Sequence, residues 1–243
     1  MRVAALYDIH GNLPALEAVL ADTRLAAADA IVVGGDIAPG PQCVEVFDLL
    51  LARNDVRFVR GNADRAVLGG EDPSVPAEVM AQVRWSTERL GERLREIARW
   101  PLTTTLDVVG LGDVLFCHAT PRADDELVTP ATPTDDVAVV LAGTHEATVV
   151  CGHIHVQYDR LVAGTRVVGA GSVGRPNERP PGAYWLLLGG STLVEHLRTD
   201  YDVERTLAGA AAAGYPSGDL GPALREPPDR EETIATFESW RGA

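Results

Sequence analysis

Short apolar runs alternate with helical patterns near the start of the chain, and this alternation limits the folds open to it. Residues 3–7, 30–34 and 56–60 have the apolar, β-branched composition of strands, and residues 13–25 and 43–51 have helical periodicity. Strands that alternate with helices form a parallel sheet. Because the runs at residues 3–7 and 30–34 contain no charged residue, they indicate strands that are buried on both faces.

The remaining chain predicts a second sheet. After a helical stretch at residues 75–97, apolar runs at 103–109 and 114–117 flank a Gly-Leu-Gly turn and predict a hairpin, and residues 137–141 predict a short helix. Further strands are predicted at residues 147–151, 165–168, 183–188 and 193–197. We assign these strands to a second sheet with more antiparallel character. The predicted fold class is α/β (α+β), with two packed sheets and helices outside them.

We expect residues 1–243 to form a single domain, with a core at about residues 1–200 and a C-terminal extension at about 201–243. A chain of 243 residues with 46% hydrophobic content is long enough to bury one core. In the extension, residues 201–213 and 230–240 predict helices, and residues 214–229 are rich in Pro and Gly. The sequence has neither an apolar run of about 18 residues nor a secretory signal pattern, so we expect a cytoplasmic protein without a membrane partner.

The charged residues narrow the classes of function. The net charge of −14 disfavours nucleic acid as a partner, because non-specific binding to phosphate backbones depends on a basic surface. All 21 basic residues are Arg, which argues against P-loop nucleotide hydrolases and Schiff-base enzymes, since both classes need a Lys. The three cysteines, Cys43, Cys117 and Cys151, are predicted to be reduced thiols in the core.

Metal-ligand residue types follow the predicted strands. Asp8 and His10 follow the first strand, Asp36 follows the second, and Asn62 follows the third. The carboxyl ends of parallel strands meet at one edge of a sheet, so these side chains are expected to converge. Three imidazoles follow later strands in the same way. The candidate metal ligands are Asp8, His10, Asp36, Asn62, His118, His153 and His155.

This set predicts two metal ions. Neutral imidazole, carboxylate and amide oxygen suit divalent transition metals, and seven ligands exceed the need of one tetrahedral ion. Two ions that share one carboxylate would use them all. A hydroxide held between two such metals is an effective nucleophile toward phosphate esters. The sequence therefore predicts a phosphoesterase with Mn as the first candidate metal, and leaves Fe, Zn and Ni open.

The motifs Asp-x-His, Gly-Asp, Gly-Asn-x-Asp, His and Gly-His-x-His occur in this order over about residues 3–190. In this order they resemble the calcineurin-like metallophosphoesterase superfamily, and the chain looks closest to its small bacterial phosphodiesterase-like branch. The resemblance implies a four-layer αββα sandwich, with residues 171–174 in a loop near the site. It also implies one metal held by Asp8, His10, Asp36 and His155, and a second held by Asp36, Asn62, His118 and His153.

The resemblance further implies that Asp36, Asn62 and His118 act in catalysis through the metal-bound hydroxide. The catalytic His that many members carry after Gly-Asn is replaced by Ala63. Because loss of an acid–base group typically costs about 10²–10⁴-fold in rate, we expect a preference for esters with good leaving groups. The expected substrate is a small phosphodiester, with phosphomonoesters as the other candidate.

Two alternatives stay open: a non-catalytic metal-binding scaffold of the same fold, and a nuclease.

The candidates for phosphate contact are Arg60, Arg65 and Arg122, because Arg binds phosphoryl oxygens bidentately. Ordinary surface ion pairs would also account for these three Arg residues. Asp64 is expected to orient Arg65 or a metal-bound imidazole. A homo-oligomer is also compatible with the sequence.

Overall fold

The computed structural model describes residues 1–69 and 75–241, and their strands form two five-stranded sheets. The strands are β1 (Val3–Leu6), β2 (Ala30–Val33), β3 (Val56–Phe58), β4 (Thr103–Val108), β5 (Gly112–Cys117), β6 (Thr148–Cys151), β7 (Gln157–Val162), β8 (Thr165–Ala170), β9 (Ala183–Leu188) and β10 (Val194–Thr199). The helices are α1 (Leu13–Ala21), α2 (Cys43–Leu51), α3 (Asn62–Gly69), α4 (Ala77–Leu90), α5 (Leu94–Ile97), α6 (Thr134–Val140), α7 (Val203–Ala213), α8 (Leu220–Arg225) and α9 (Arg230–Trp240).

The two sheets pack face to face, and helices cover both outer faces. Tyr7, Phe116 and Leu186 are fully buried between the sheets. On the outer face of the first sheet, side chains of α1, α2 and α4 form a second apolar cluster with that sheet. Side chains of α6 and α9 pack in the same way on the second sheet. The predicted four-layer αββα sandwich is therefore confirmed.

The first sheet has the strand order β10-β9-β1-β2-β3, and the second has the order β4-β5-β6-β8-β7. Strands β1, β2 and β3 are parallel, as the alternation of strands and helices predicts. The hairpin of β4 and β5 is also confirmed. Both sheets are mixed, because antiparallel β9 pairs with β1 and antiparallel β7 pairs with β8.

The assignment of residues 183–188 and 193–197 to the second sheet is wrong. Strand β9 pairs with β1 of the first sheet in the register Ala4↔Leu187, and β10 pairs with β9. The prediction followed chain order, whereas pairing is decided by contacts far apart in sequence. Strand β7 was missed, because the adjacent charged residues Asp159 and Arg160 interrupt its apolar pattern.

The C-terminal extension connects the two outer helix layers. Helix α7 packs against α1 and α8. In α9, Glu238 accepts hydrogen bonds from the Thr129 and Thr132 hydroxyls at 2.6 and 2.5 Å, and Ile234 packs beneath the second sheet. The helices predicted at residues 201–213 and 230–240 are confirmed as α7 and α9, and α8 lies in the Pro-rich stretch between them. Residues 242–243 of the predicted extension lie outside the described residues. No helix in the described ranges is long and apolar enough to cross a bilayer.

Glu178 gives the fold a pH-dependent contribution to stability. Its side chain is 7% exposed and accepts a hydrogen bond from the Gln157 backbone N–H at 2.7 Å. Burial raises the pKa of Glu178 from 4.5 to about 7. The folded state therefore holds this proton more tightly than the unfolded chain does. Its contribution is fully present below about pH 4.5 and is lost as the pH rises through about 7.

We expect Glu178→Gln to weaken this pH dependence, because the amide keeps an acceptor for the Gln157 N–H but does not ionise. Between pH 4.5 and pH 8, the free energy of unfolding of the wild type should fall by up to about 3 kcal/mol relative to that of the variant. Urea denaturation of both metal-free proteins at several pH values measures this difference. Parallel pH profiles for the two proteins would contradict the assigned role of Glu178.

Candidate metal centre

Five of the seven candidate ligands have left-handed backbone conformations at the carboxyl ends of strands. These residues and their φ values are Asp8 (53°), His10 (45°), Asp36 (57°), His153 (68°) and His155 (57°). Asp and His tolerate this region better than most residues, but each such conformation still costs about 1–3 kcal/mol. The surrounding structure must therefore hold these turns in place.

Backbone hydrogen bonds hold the turn after β1. The Asp8 and His10 amides donate to the carbonyl oxygens of Gly35 and Asp36 at 3.1 and 2.9 Å. The Ser172 hydroxyl donates to the Asp8 carbonyl at 2.8 Å. The loop of residues 171–174 thus lies against the candidate ligands.

Asp64 fixes the turns after β2 and β3. Its fully buried carboxylate accepts hydrogen bonds from the backbone amides of Asp36, Ile37, Ala38 and Gly61, at 2.7, 3.0, 3.2 and 3.1 Å. The expectation that Asp64 orients Arg65 or an imidazole is therefore wrong, because these amides occupy the carboxylate. Its role is to set the position from which the Asp36 side chain projects.

Asp8 and Asp36 lie at the centre of the ligand atoms. His155 Nε2 lies 3.2 Å from Asp8 Oδ1 and 3.3 Å from His10 Nε2. His118 Nε2 lies 3.4 Å from Asp36 Oδ2 and 3.8 Å from Asp8 Oδ1. Two groups of ligand atoms result: one from Asp8, His10 and His155, and one from Asp8, Asp36 and His118.

Asn62 and His153 complete the arrangement. Asn62 Oδ1 lies 3.0 Å from His118 Nε2, and the His153 ring lies 5.3 Å from the His118 ring, measured between centroids. The His153 amide donates to Asp8 Oδ2 at 3.1 Å. The structure thus brings all seven predicted ligand residues to one place. Asp8 takes part in both groups, whereas the resemblance implies that Asp36 is the shared carboxylate.

The atoms that face one another are hydrogen-bond acceptors, which is the arrangement a cation requires. His155 Nδ1 lies 2.5 Å from the Arg175 carbonyl, and His118 Nδ1 lies 2.9 Å from the Gly34 carbonyl. Each carbonyl fixes the proton on Nδ1 and leaves the Nε2 lone pair free for the cluster. Asp8 Oδ1 is buried, and no donor among the described residues reaches it. These residues fit divalent metal ions.

The pKa shifts indicate which of these groups hold a proton when no metal is bound. Burial lowers the pKa of His10 and of His153 to about 4, so both rings are neutral at neutral pH. Burial opposes ionisation of Asp36, but the neighbouring His118 outweighs it and holds the pKa of Asp36 below its ordinary value. Burial also opposes protonation of His118, but the charge of Asp36 outweighs it and raises the pKa of His118 to about 10. Without a metal, a proton on His118 would balance part of this negative charge.

A cavity of about 900 Å³ opens over the cluster. His10, Asp36, Asn62, His153 and His155 line it, and Ala63 is also a lining residue. The Ala63 amide donates to Asp36 Oδ1 at 2.9 Å.

The three predicted phosphate-contact residues differ in position. Arg65 lines the cavity, but its guanidinium is bound by Asp124 and Asp125, with Nη2 at 2.9 and 2.7 Å from their carboxylates. Arg122 is exposed and pairs with Glu126, and neither it nor Arg60 is among the described residues that line the cavity.

Sequence reasoning missed Arg175, Asn12 and Asn177, which also line the cavity. Arg175 holds the His155 ring through its carbonyl oxygen, and its guanidinium pairs with Asp219 at 2.8 Å. Its position directly after the Gly-Ser-Val-Gly loop was the available signal. The Asn177 backbone N–H donates to the His155 carbonyl at 2.9 Å and so stabilises the turn that carries His155.

Comparison with known proteins identifies the family of the chain. The family model of the calcineurin-like phosphoesterase superfamily domain matches residues 1–188. An uncharacterized protein of Methanocaldococcus jannaschii is 26% identical over 224 residues, which are 84% of this chain and 89% of that protein. A hypothetical protein from Pyrococcus horikoshii has a similar fold, with a TM-score of 0.75 and 23% identity over 97% of both chains. A metallophosphoesterase from Sphaerobacter thermophilus is also similar, with a TM-score of 0.73 and 25% identity over 92% of this chain and 98% of that one. The chain therefore belongs to the calcineurin-like phosphoesterase superfamily.

Proposed function

We propose that this protein is a phosphodiesterase that uses two divalent metal ions, with phosphomonoesters as weaker substrates. Membership of the superfamily supports a metal-dependent phosphate-ester hydrolase at the general level. The observation that carries the proposal is the convergence of the ligand atoms around the buried Asp8 Oδ1, beside a cavity that five of the seven candidate ligands line.

One ion would be held by Asp8, His10, Asp36 and His155, and the other by Asp36, Asn62, His118 and His153. Asp8, His10 and His155 of the first group and Asp36 and His118 of the second fit this division, but the carboxylate common to the two groups is Asp8. When bound, two such ions supply Lewis acidity to the phosphoryl group and to the attacking water. Mn is the first metal to test, and Fe, Zn and Ni suit the same ligands.

The residues of the chain itself orient the reaction. The carbonyl oxygens of Gly34 and Arg175 hold the rings of His118 and His155, and the amides around Asp64 hold Asp36 in its turn. Asp36, Asn62 and His118 would act in catalysis as ligands. Of Arg60, Arg65 and Arg122, Arg65 alone is among the described lining residues, and a phosphate contact there would compete with the Asp124 and Asp125 carboxylates that already bind its guanidinium.

We also infer a cytoplasmic protein with a small phosphate ester as substrate. The buried, unpaired thiols of Cys43, Cys117 and Cys151 support a reducing compartment. The acidic net charge favours a small substrate over a nucleic acid.

The first prediction concerns Asp36→Asn. We expect metal-free wild type to take up two Mn ions per chain and to hydrolyse bis-p-nitrophenyl phosphate faster than p-nitrophenyl phosphate. Asp36→Asn should bind less metal and lose on the order of 10²-fold or more in turnover, because a buried carboxylate ligand becomes neutral. Metal analysis and p-nitrophenol release measure the two effects.

Asp113→Asn is the matched control, because Asp113 is an exposed carboxylate at the start of β5. Its metal content and its rate of p-nitrophenol release should equal those of the wild type. If the wild type binds two ions but hydrolyses neither ester faster than Asp36→Asn, the scaffold alternative replaces the enzyme. If it binds no metal, the metal centre itself is wrong.

A second prediction concerns Ala63, which lines the cavity without a group that can donate a proton. Ala63→His should accelerate hydrolysis of diphenyl phosphate by about 10-fold or more, and that of bis-p-nitrophenyl phosphate much less. Phenolate is the poorer leaving group and gains more from protonation. The ratio of the two rates measures this effect, and Ala63→Leu controls for side-chain size. Equal acceleration of both esters, or the same result with Leu, would contradict a proton-donating role for this position.

A further inference from the structure

The cavity lining includes apolar side chains besides the ligand cluster, and several of them belong to the C-terminal extension. Among these apolar lining residues are Met80, Val83, Tyr215, Leu220, Phe237 and Trp240. The first two belong to α4, and the others belong to the extension. We call these six residues the apolar wall.

The extension is fixed on both sides of the cavity. On the side of the first sheet, Tyr215 and Leu220 pack in one cluster with Leu224, and Tyr215 lies edge-on to Trp85 with ring centroids 5.0 Å apart. On the side of the second sheet, α9 is held through Glu238 and through Arg241, which pairs with Asp136 of α6 at 2.9 Å. The apolar wall therefore has a defined position relative to the ligand cluster.

Part of the apolar wall is exposed to solvent. The Trp240 side chain is 57% exposed and meets Phe237 edge-on, with ring centroids 5.3 Å apart. Val79, which also lines the cavity, is 42% exposed. Exposed aromatic and aliphatic side chains beside polar groups in a cavity of this size are typical of a site for an organic ligand.

The charges of the cavity restrict that ligand further. The two Arg side chains that line the described part of the cavity are already paired, Arg65 with Asp124 and Asp125, and Arg175 with Asp219. Asp125 itself adds negative charge to the lining. A substrate with several phosphates would find no unpaired guanidinium there for its second phosphate. A single phosphate with an apolar substituent fits better.

We propose that the apolar wall binds the organic ester group of the substrate, and that the preferred substrates are phosphodiesters with one phosphate and a bulky aromatic ester group. This inference rests on the proposed phosphodiesterase function and assigns its specificity to residues of the C-terminal extension. The phosphate would lie at the ligand cluster, and the aromatic group would lie against Tyr215, Phe237 and Trp240.

The test uses diesters that share a p-nitrophenyl leaving group and differ in the second ester group, which is methyl, phenyl or 2-naphthyl. For the Mn-loaded wild type, KM should fall by about 10-fold or more from the methyl to the naphthyl ester, because apolar contact adds binding energy. Trp240→Ala should raise KM for the naphthyl ester by a similar factor and raise KM for the methyl ester much less, so that the ratio of the two KM values falls. Trp240→Phe should restore most of the difference.

Leu161→Ala is the matched control, because Leu161 is 72% exposed on β7 and is not among the lining residues described. Its KM values for the three esters should equal those of the wild type. Calorimetric binding of neutral 2-naphthol to the metal-free protein gives a readout without turnover, and Trp240→Ala should weaken it.

The outcomes separate the two proposals. If the methyl and naphthyl esters are hydrolysed with the same KM, or if Trp240→Ala affects both equally, the apolar wall has no role in specificity while the phosphodiesterase function stands. If no diester is hydrolysed but 2-naphthol binds in a Trp240-dependent manner, the proposed function fails and the aromatic binding site is supported. If 2-naphthol binds wild type and Trp240→Ala equally, the apolar wall is not its site and the inference is overturned.

Discussion

The buried charge of Asp8 and Asp36 is the constraint on which the rest of the site depends. Their side chains are 0% and 3% exposed, and burying a carboxylate is costly unless an opposite charge lies beside it. Imidazoles surround both groups, but the carbonyl partners of His118 and His155 turn the ring lone pairs toward the carboxylates. Hydrogen bonds within the protein therefore leave the negative charge only partly balanced, and divalent cations would complete the balance.

Holding these groups together requires backbone conformations that the isolated turns would not favour. The left-handed residues at the ends of β1 and β2 are kept in place by the buried Asp64 carboxylate and by backbone bonds between neighbouring turns. The parallel pairing of β1, β2 and β3 places these turns side by side at one edge of the sheet. The sandwich thus provides a rigid base on which strained turns present charged side chains, which is a common arrangement at functional sites.

The candidate ligands and the C-terminal extension lie in different parts of the chain. All seven candidate ligands lie within residues 1–188, the region that matches the superfamily. The extension lies beyond this region, packs on both outer helix layers and places Tyr215, Leu220, Phe237 and Trp240 around the cavity. Under the two proposals, the matched core would supply the chemistry and the extension would determine which ester group fits.

The sequence by itself determined the fold class, the parallel strands and the residue types at the strand ends, because these features depend on local periodicity and motif order. It also identified the candidate ligands, which remain a prediction that the geometry supports. Only the tertiary structure decided that β9 and β10 belong to the first sheet, that Asp64 binds four backbone amides, and that Arg65 and Arg175 are paired with carboxylates. It also decided that residues of the extension line the cavity beside the candidate ligands. These features depend on contacts between residues far apart in the chain, and no local pattern of side chains specifies which distant partners meet.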